Sequence, residues 1–292
     1  MDTHTRKARF SGSWYSEDQA SLRQSIEQWS HSGESGTGSQ ALAMIGPHAG
    51  LQYAGAVSGS GYKALRVPQY PRIFLLGPSH YTHFEGLALP SPSTSSFQTP
   101  LGDLRLDSDT IEALRSHDTF KGPCQSHEKE HSLELHTPFI AYRFPQARLV
   151  PILTGRLGSE NRVKSIAREL RSYIHKDDLL IVSSDFTHYG AAFAYEPFKD
   201  KIPNGIQRLA QEAIKPILKP DLGGFSAHLK DTGDTICGRE SIRLLLALLP
   251  RDSFGTLQSF ATSADQTGNY EHCVSYASIV FHSTRGWGEA SP

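Results

Sequence analysis

Four short apolar runs recur along the chain, and none of them alternates with polar residues. They cover residues 41–45, 72–76, 147–153 and 179–182 and are rich in Leu, Ile and Val. Continuous apolar runs of this length are typical of strands that are buried on both faces of a sheet. The pattern therefore predicts four inner strands. The tail at 256–281 predicts one or two more strands around a turn at 265–270.

Segments with apolar residues three and four apart lie between and around these runs. They predict helices at 58–65, 108–116, 160–174, 206–218 and 238–249, preceded by an amphipathic segment at 17–29. Strands that alternate with helices favour a largely parallel or mixed central β-sheet flanked by helices. We therefore expect a single α/β domain over residues 1–292, with a Gly- and Ser-rich loop at 32–40.

Composition argues against several classes of function. The net charge is −1 and Lys and Arg are spread along the 292 residues, so we expect neither nucleic acid nor a membrane as a partner. No apolar run reaches eighteen residues and the start lacks the apolar stretch of a secretory signal, which predicts a cytoplasmic protein. Three cysteines are too few for a disulfide framework, in keeping with a reducing compartment. Fourteen histidines are roughly twice the usual number and give the first chemical hint.

Polar clusters follow three of the predicted strands directly. The first strand leads into Gly-Pro-His48, the second into Gly-Pro-Ser-His80, and the last into Ser-Ser-Asp185-Phe-Thr-His188. In open α/β sheets, ligands gather outside the carboxyl ends of the strands, where the loops converge. Gly-Pro ends a strand sharply and directs the following imidazole toward that crevice. One such histidine is more often structural, but the repeated arrangement predicts that His48 and His80 bind a metal ion.

Cys237 is our candidate for a third ligand, because a catalytic metal site usually has three protein ligands and an open position. It directly precedes the predicted helix at 238–249, whose N-terminus is expected to lower the thiol pKa and favour the thiolate. The alternative is a buried and inert cysteine. Cys124 and Cys273 lie in less organised surroundings, and we expect both to be structural.

Two further groups of polar residues are candidates for a functional role. Asp185 and His188 lie three residues apart after a buried strand, where they can serve as general base and acid or orient the ligands. The alternative is a capping aspartate beside an incidental histidine. His131, Glu134 and His136 form a third concentration, and the spacing places His131 and Glu134 on one face of a helical turn. Support of the ligands and direct ligation are both open for these three residues.

Signatures of nucleotide binding are absent from the sequence. There is no Walker phosphate loop and no Gly-x-Gly-x-x-Gly fingerprint after a strand, and no Gly-x-Ser-x-Gly nucleophile elbow occurs. The Gly-rich stretch at 55–61 favours close packing of a helix on the sheet instead. We therefore expect no nucleotide cofactor.

Eight motifs together carry a strong resemblance to a known family. They are 8–15 (ARFSGSWY), 47–50 (PHAG), 53–55 (YAG), 76–80 (LGPSH), 99–102 (TPLG), 130–136 (EHSLELH), 182–190 (VSSDFTHYG) and 235–239 (TICGR). In this order they resemble the Memo family, which is named for a mediator of cell motility. The family also occurs in bacteria and archaea as the B protein of the AmmeMemoRadiSam system. The resemblance extends over almost the whole chain.

The resemblance implies a fold similar to that of class III extradiol dioxygenases, which are ring-cleaving non-haem iron enzymes. It also implies a pocket with two histidines and a cysteine, which correspond here to His48, His80 and Cys237, with Asp185 and His188 beside them. The dioxygenases use two histidines and a carboxylate. A thiolate in that place favours copper or zinc more than an oxygen-rich set does, while ferrous iron stays compatible.

Three hypotheses about function follow. The first is an iron(II)- or copper-dependent oxidoreductase, dioxygenase-like, that acts on a small-molecule substrate at the His/His/Cys site; zinc is also compatible with these ligands. The second is a non-catalytic module that binds a peptide or protein partner in the same cleft through aromatic residues. The third is a metal-handling protein without turnover. Aromatic candidates for the cleft are Trp14, Tyr15, Tyr53 and Tyr189, of which Trp14 and Tyr53 are also expected as pocket walls.

Overall fold

The central sheet has parallel strands in its middle and antiparallel strands at both sides. A computed structural model describes residues 4–31, 40–65 and 70–288. Its strands are β1 (His4–Arg6), β2 (Ala43–Gly46), β3 (Arg72–Pro78), β4 (Leu87–Ala88), β5 (Thr94–Phe97), β6 (Leu104–Arg105), β7 (Arg148–Thr154), β8 (Leu179–Ser183), β9 (His188–Gly190), β10 (Phe254–Thr262) and β11 (His272–His282). The main sheet has the order β10-β11-β2-β8-β3-β7-β4, with β9 paired to β11, and β1, β5 and β6 form a small separate sheet.

Strands β2, β8, β3 and β7 are mutually parallel, whereas β10, β11 and β4 run antiparallel to their neighbours. The four parallel strands are the four that the apolar runs predict, with ends shifted by at most two residues. They are buried along almost their entire length, as expected of strands that are covered on both faces. The predicted α/β fold with a mixed central sheet is therefore confirmed.

Helices cover both faces of this sheet. They are α1 (Gln19–His31), α2 (Leu51–Ala64), α3 (Ser108–Arg115), α4 (Thr137–Arg143), α5 (Glu160–Arg171), α6 (Ile202–Leu218), α7 (Leu222–Thr232), α8 (Arg239–Leu248) and α9 (Ala264–Thr267). Helix α5 shows how the sequence specifies one: Ser159 caps its first turn, and Val163, Ile166 and Leu170 form a buried stripe. Most of the buried apolar residues, from the sheet and from these helices, belong to one continuous core.

The largest departure from the predicted helices is the start of α2. The sequence predicts a helix from residue 58, but α2 begins at Leu51, because the Gly- and Ser-rich stretch at 55–61 interrupts its apolar period. The small residues serve close packing, as expected: a Cβ on Gly61 would lie only 2.0 Å from Ser278 Oγ. Helix α7 was not predicted, and the predicted turn at 265–270 contains the short helix α9. The predicted loop at 32–40 lies outside the described residues except for Gln40.

The sheet order brings the predicted functional loops to one edge. Strand β8 lies between β2 and β3, with Gly46 opposite Ser183 and Leu76 opposite Val182. All three strands are parallel, so the loops after them leave the sheet side by side. Within the described part of the chain, no helix is long and apolar enough to span a lipid bilayer.

Candidate metal centre

Three donor atoms converge at this edge of the sheet. The side chains of His48, His80 and Cys237 each offer one ligand atom, and these atoms all lie within 4.8 Å of one another. His48 Nε2 lies 3.2 Å from Cys237 Sγ, and the two imidazole rings meet edge to face with centroids 5.1 Å apart. The structure thus brings together the three residues that the sequence singles out from separate parts of the chain.

Strand β8 fixes the ring of His48. His48 Nδ1 lies 2.7 Å from Ser183 Oγ, and that hydroxyl donates its only proton to the carbonyl of Ser132 over 2.5 Å. Ser183 must therefore accept a proton from His48 Nδ1, which leaves Nε2 with a lone pair toward Cys237. Burial, and then the charges of neighbouring histidines, lower the pKa of His48 well below its ordinary value. His48 is thus a neutral imidazole in the form that a metal ligand requires.

Glu130 fixes the ring of His80. The backbone N–H of His80 donates to Glu130 Oε2 over 2.6 Å, and His80 Nδ1 lies 2.8 Å from Oε1. Burial alone would raise the pKa of Glu130, but the hydrogen bond and charge of His80, the charge of His131 and the Ser132 N–H together lower it to about 2. The ionised carboxylate can only accept, so His80 Nδ1 donates to it, and in the neutral ring Nε2 carries the lone pair. A carboxylate behind an imidazole in this way is common at metal-bound histidines.

Cys237 differs from the prediction in its acidity. Burial, followed by the negative charge of Asp185, raises the pKa of the Cys237 thiol well above its ordinary value. The hydrogen bonds from Asp185 N–H, the Ser184 hydroxyl and Gly238 N–H act in the opposite direction but are outweighed. The expectation that the N-terminus of α8 lowers this pKa is therefore wrong: although the side chain is only half-buried, desolvation of the thiolate dominates. A cation beside the sulfur would supply the neighbouring positive charge that stabilises a thiolate.

The fit of α8 against β8 sets the position of Cys237. Gly238, the next residue, donates its N–H to Ser184 Oγ over 3.0 Å. A Cβ on Gly238 would lie 2.4 Å from the Cβ of Ser184, so only glycine allows this approach. Asp185 N–H in turn donates to Cys237 Sγ over 3.2 Å.

Asp185 holds the loop that carries His48. Its Oδ1 accepts the backbone N–H groups of His48 and Ala49 over 2.8 and 3.2 Å. The side chain is buried, and this burial raises the pKa of Asp185 despite the nearby His188 and the two N–H donors. Asp185 therefore contacts mainly the backbone of the loop that carries His48.

His188 presents a free ring nitrogen to the same group of residues. Its Nδ1 lies 2.9 Å from the carbonyl of Phe186 and 3.1 Å from that of Thr235, so Nδ1 carries the proton. A ligand atom of His188 lies within 4.8 Å of ligand atoms of Asp185 and Cys237. Asp185 and His188, predicted together, do lie together beside the sulfur.

His131 stands beside the centre, whereas Glu134 and His136 lie behind it. The His131 ring stacks on His80 with centroids 4.3 Å apart, and its Nδ1 lies 3.1 Å from Tyr81 Oη. Burial and the charge of His80 lower the pKa of His131 to about 4. His136 instead lies between Tyr62 Oη, at 2.9 Å, and the carbonyl of Gly46, at 3.2 Å.

Glu134 belongs to a separate buried cluster. Its carboxylate accepts from Arg6 Nη1 over 2.8 Å, from Phe10 N–H over 2.7 Å and from the hydroxyl of Tyr15 over 2.9 Å. The chain does make a helical turn here, since Leu135 N–H donates to the carbonyl of His131 over 3.1 Å and the short 3₁₀ turn Glu134–His136 overlaps it. The side chains of His131 and Glu134 nevertheless belong to different clusters, because His131 stacks on His80 whereas Glu134 pairs with Arg6.

An aromatic cavity of about 420 Å³ opens onto His48, His80 and His131. Trp14, Tyr53, Phe193, Asp185 and His188 also line it, so both aromatic residues expected as walls are there. Tyr15 and Tyr189 are not, because both are buried, Tyr15 on Glu134 and Tyr189 against Phe198. A ligand in this cavity would therefore contact mainly aromatic and imidazole rings.

The sequence missed two residues that orient the candidate ligands. Glu130 directly precedes His131 and Ser183 lies two residues before Asp185, and both stand in motifs that carry the family resemblance. Their signal is only their position: each is a polar residue within two positions of a candidate site residue. All three cysteines are free, with Cys273 buried and Cys124 partly exposed.

Comparison with known proteins agrees with this architecture. The profile of the family described as Memo-like protein matches residues 6–280. Protein memo-1 homolog of Caenorhabditis elegans is 34% identical over 83% of this chain and 71% of its own length. Protein MEMO1 of Homo sapiens is 33% identical over 93% of this chain and 95% of its own length.

A solved structure supports the fold alone. The uncharacterized protein JW3007 from Escherichia coli K12 superposes with a TM-score of 0.50 over 82% of this chain and 99% of its own, at 10% identity. The family match, by contrast, covers nearly the whole chain, and the identity to the MEMO1 proteins extends over most of both sequences. This chain belongs to the Memo family.

Proposed function

We propose that His48, His80 and Cys237 hold one redox-active metal ion and that the protein is a dioxygenase-like oxidoreductase. The observation that carries this proposal is the orientation of the two imidazoles. Each has its Nδ1 proton held by a buried partner, Ser183 or Glu130, so each Nε2 is left as the acceptor nitrogen, and that of His48 faces Cys237 Sγ at 3.2 Å. An imidazole held through Nδ1 in this way presents Nε2 to a metal ion.

The donor set limits the metal. Two neutral imidazoles and one sulfur suit iron(II) and copper, and they also suit zinc. Bound iron or copper would supply one-electron redox chemistry and Lewis acidity at the carboxyl ends of the strands. The thiol of Cys237 must lose its proton to serve as a ligand, and its surroundings disfavour the free thiolate. A bound cation would stabilise the thiolate and so offset this cost.

The neighbouring residues have distinct parts in this proposal. His188 keeps its Nδ1 proton on two carbonyls, so its Nε2 can accept a proton from a substrate group in the cavity and return it later. Asp185 positions the His48 loop through two N–H groups and acts through that loop. His131 stacks on His80 and restricts its rotation.

The walls of the aromatic cavity favour a small molecule with an apolar body. Trp14, Tyr53 and Phe193 supply apolar surface, while the imidazoles supply the polar groups. Its volume of about 420 Å³ lies within the range of small-molecule sites. The same aromatic lining also favours a second candidate function, the capture of a peptide side chain or protein partner without turnover.

Anaerobic titration of the metal-free protein with ferrous iron, cuprous copper and zinc tests the metal site. We expect binding at a ratio near one and a large loss of affinity in His48→Ala, His80→Ala and Cys237→Ser. Cys124→Ser and the exposed His175→Ala are matched controls that should bind as the wild type does.

The outcomes separate the three functions. Binding followed by oxygen consumption with an organic substrate supports the oxidoreductase. Tight binding without any turnover favours metal handling. If no metal binds, or if the three substitutions change nothing, the metal centre is refuted and the aromatic cavity becomes a partner site.

A further inference from the structure

A second cavity, of about 620 Å³, reaches Cys237 from another side. Loops after β3 and β7 and the first turn of α8 enclose it, so it also lies at the carboxyl ends of parallel strands. Cys237 lines this cavity, whereas the lining of the aromatic cavity contains the histidines and not the sulfur. We call it the arginine cavity, because Arg156 and Arg239 line it.

The acidic residues of the arginine cavity already have partners. Glu85 Oε2 accepts from Arg162 Nη1 over 3.0 Å, and Glu240 Oε2 accepts from Arg243 Nη1 over 2.8 Å. The hydrogen bond and charge of Arg162 lower the pKa of Glu85, and Arg156 contributes the smallest part of that shift. The two carboxylates are thus neutralised by arginines that do not line the cavity.

Arg156 and Arg239 are exposed and, among the residues that the structure describes, have no direct partner for their guanidinium groups. Within the described ranges 4–31, 40–65 and 70–288, neither guanidinium makes a salt bridge or a hydrogen bond, and Arg156 acts on Glu85 only through its charge. Two positively charged residues therefore line a space that Cys237 also lines. A guanidinium without a partner at a cavity wall is suited to a carboxylate or a phosphate, which it can bind with two parallel hydrogen bonds.

The backbone holds both arginines in place. Arg156 donates its N–H to the carbonyl of Phe84 over 2.9 Å, and its own carbonyl accepts from Gly86 N–H over 3.0 Å. Arg239 opens α8, with its N–H toward the carbonyl of Ile236 at 3.3 Å. Their backbone positions are thus fixed on two different walls, so only the two side chains have to adjust to a bound anion.

We propose that Arg156 and Arg239 form an anion-binding subsite beside Cys237, and that the substrate of the metal centre is a small organic anion whose carboxylate or phosphate they hold. The part of this inference that concerns the substrate rests on the proposed function. The subsite itself does not, because it is made of residues outside the His/His/Cys set. It makes the two arginines specificity residues for the molecule that reaches the sulfur.

Alkylation of metal-free protein tests the subsite directly. The thiol of Cys237 reacts with anionic iodoacetate or with neutral iodoacetamide; in both reactions an S–C bond forms, iodide leaves and the thiol proton passes to solvent. The ratio of the two rates at Cys237, read by mass spectrometry and divided by the same ratio in urea, cancels any change in thiol acidity. We expect a ratio raised roughly threefold or more in the folded protein, because the arginines attract the carboxylate.

The variants Arg156→Gln and Arg239→Gln should each lower that ratio, and the double variant should bring it close to the value in urea. Arg168→Gln removes an exposed arginine of α5 outside this cavity and should leave the ratio unchanged. An unchanged ratio in the double variant would overturn the subsite. Normal metal binding by that variant would show that the metal centre stands regardless.

Calorimetric titration of metal-free protein with succinate and with inorganic phosphate supplies a second readout, which decides the matter if Cys237 reacts with neither reagent. Binding near a ratio of one that weakens roughly tenfold in either variant supports the subsite. Binding of succinate alone assigns a carboxylate, and binding of phosphate alone assigns a phosphate. No binding of either anion, or binding that the double variant retains, would overturn the proposal.

Discussion

Two buried polar clusters meet at the segment 130–134, and they differ in how their polar atoms are used. In the cluster around Glu134, Arg6, Phe10 and Tyr15 satisfy the carboxylate, and the charges cancel. Around Cys237, the ring protons of His48 and His80 are held from behind while two lone pairs and a sulfur face one another.

The contrast teaches how to tell a structural polar cluster from a functional one. The hydrogen bonds are of similar quality in the two clusters, although His80 and Cys237 are less buried than Arg6 and Glu134. The difference lies in where the donor and acceptor atoms of each cluster point. Around Glu134, both carboxylate oxygens and the Arg6 guanidinium have partners, whereas the other cluster directs two ring nitrogens and a sulfur toward a common point, as metal ligands do.

Glu134→Ala should destabilise the fold by about 3–5 kcal/mol, because it leaves the Arg6 guanidinium buried without its counter-charge. Urea denaturation of the metal-free protein measures this free energy. Glu112→Ala is the control: its pair with Arg115 is exposed, so the loss should stay below about 1 kcal/mol. A similarly small loss in Glu134→Ala would show that the Glu134 cluster does not stabilise the fold.

His127 gives the Glu134 cluster a pH dependence. Its carbonyl accepts from Arg6 Nε, and burial, only partly offset by the hydrogen bond to Ala88, lowers the pKa of its ring to about 4. The unfolded chain therefore takes up the proton first as the pH falls. Stability is complete above the ordinary pKa near 6.5 and is lost toward pH 4, by roughly 3 kcal/mol for this residue.

His127→Gln should remove that contribution, so that stability between pH 7 and pH 4 falls by roughly 3 kcal/mol less than in the wild type. Denaturant titrations at several pH values measure the difference. The exposed His175→Gln serves as the control and should follow the wild-type curve. Parallel curves for His127→Gln and wild type would contradict the assignment of a neutral, buried ring.

Glu130→Gln should leave the fold intact but weaken metal binding about 10- to 100-fold, because the amide orients the His80 ring without a negative charge. Anaerobic metal titration measures the affinity. The neighbouring Glu128→Gln, at a partly exposed side chain, should bind metal as the wild type does. Equal affinities for the two variants would mean that His80 is not a ligand.

Ser183→Ala should have the smallest effect, a loss of metal affinity of up to about tenfold, because the hydrogen bond to His48 Nδ1 is between neutral groups. The same titration measures it, with the exposed Ser25→Ala as control. A loss much greater than that of Glu130→Gln would reverse the proposed order of the two supports.

The predictable parts of the molecule are those that the sequence specifies locally. The buried strands are continuous apolar runs, and Gly-Pro before His48 and near His80 shows where two of them end. A parallel sheet then brings these ends together without further information. The position of Cys237 depends on more than the local sequence, because the start of α8 must pack against the end of β8 through Gly238.

Long-range pairing explains what the sequence did not show. Glu130 and Glu134 stand four residues apart in one motif, yet one orients His80 and the other neutralises Arg6, about 130 positions away along the chain. The thiol pKa also depends on the assembled surroundings: the helix N-terminus is local, but the burial and the Asp185 charge that outweigh it are not.

X-ray absorption at the metal edge of protein loaded anaerobically with iron(II) or copper tests the central claim most directly. We expect one sulfur and at least two imidazoles around the metal, with the sulfur lost in Cys237→Ser and retained in Cys124→Ser. A spectrum without sulfur in the wild type, or one in which sulfur persists in Cys237→Ser, would contradict the His48, His80 and Cys237 centre.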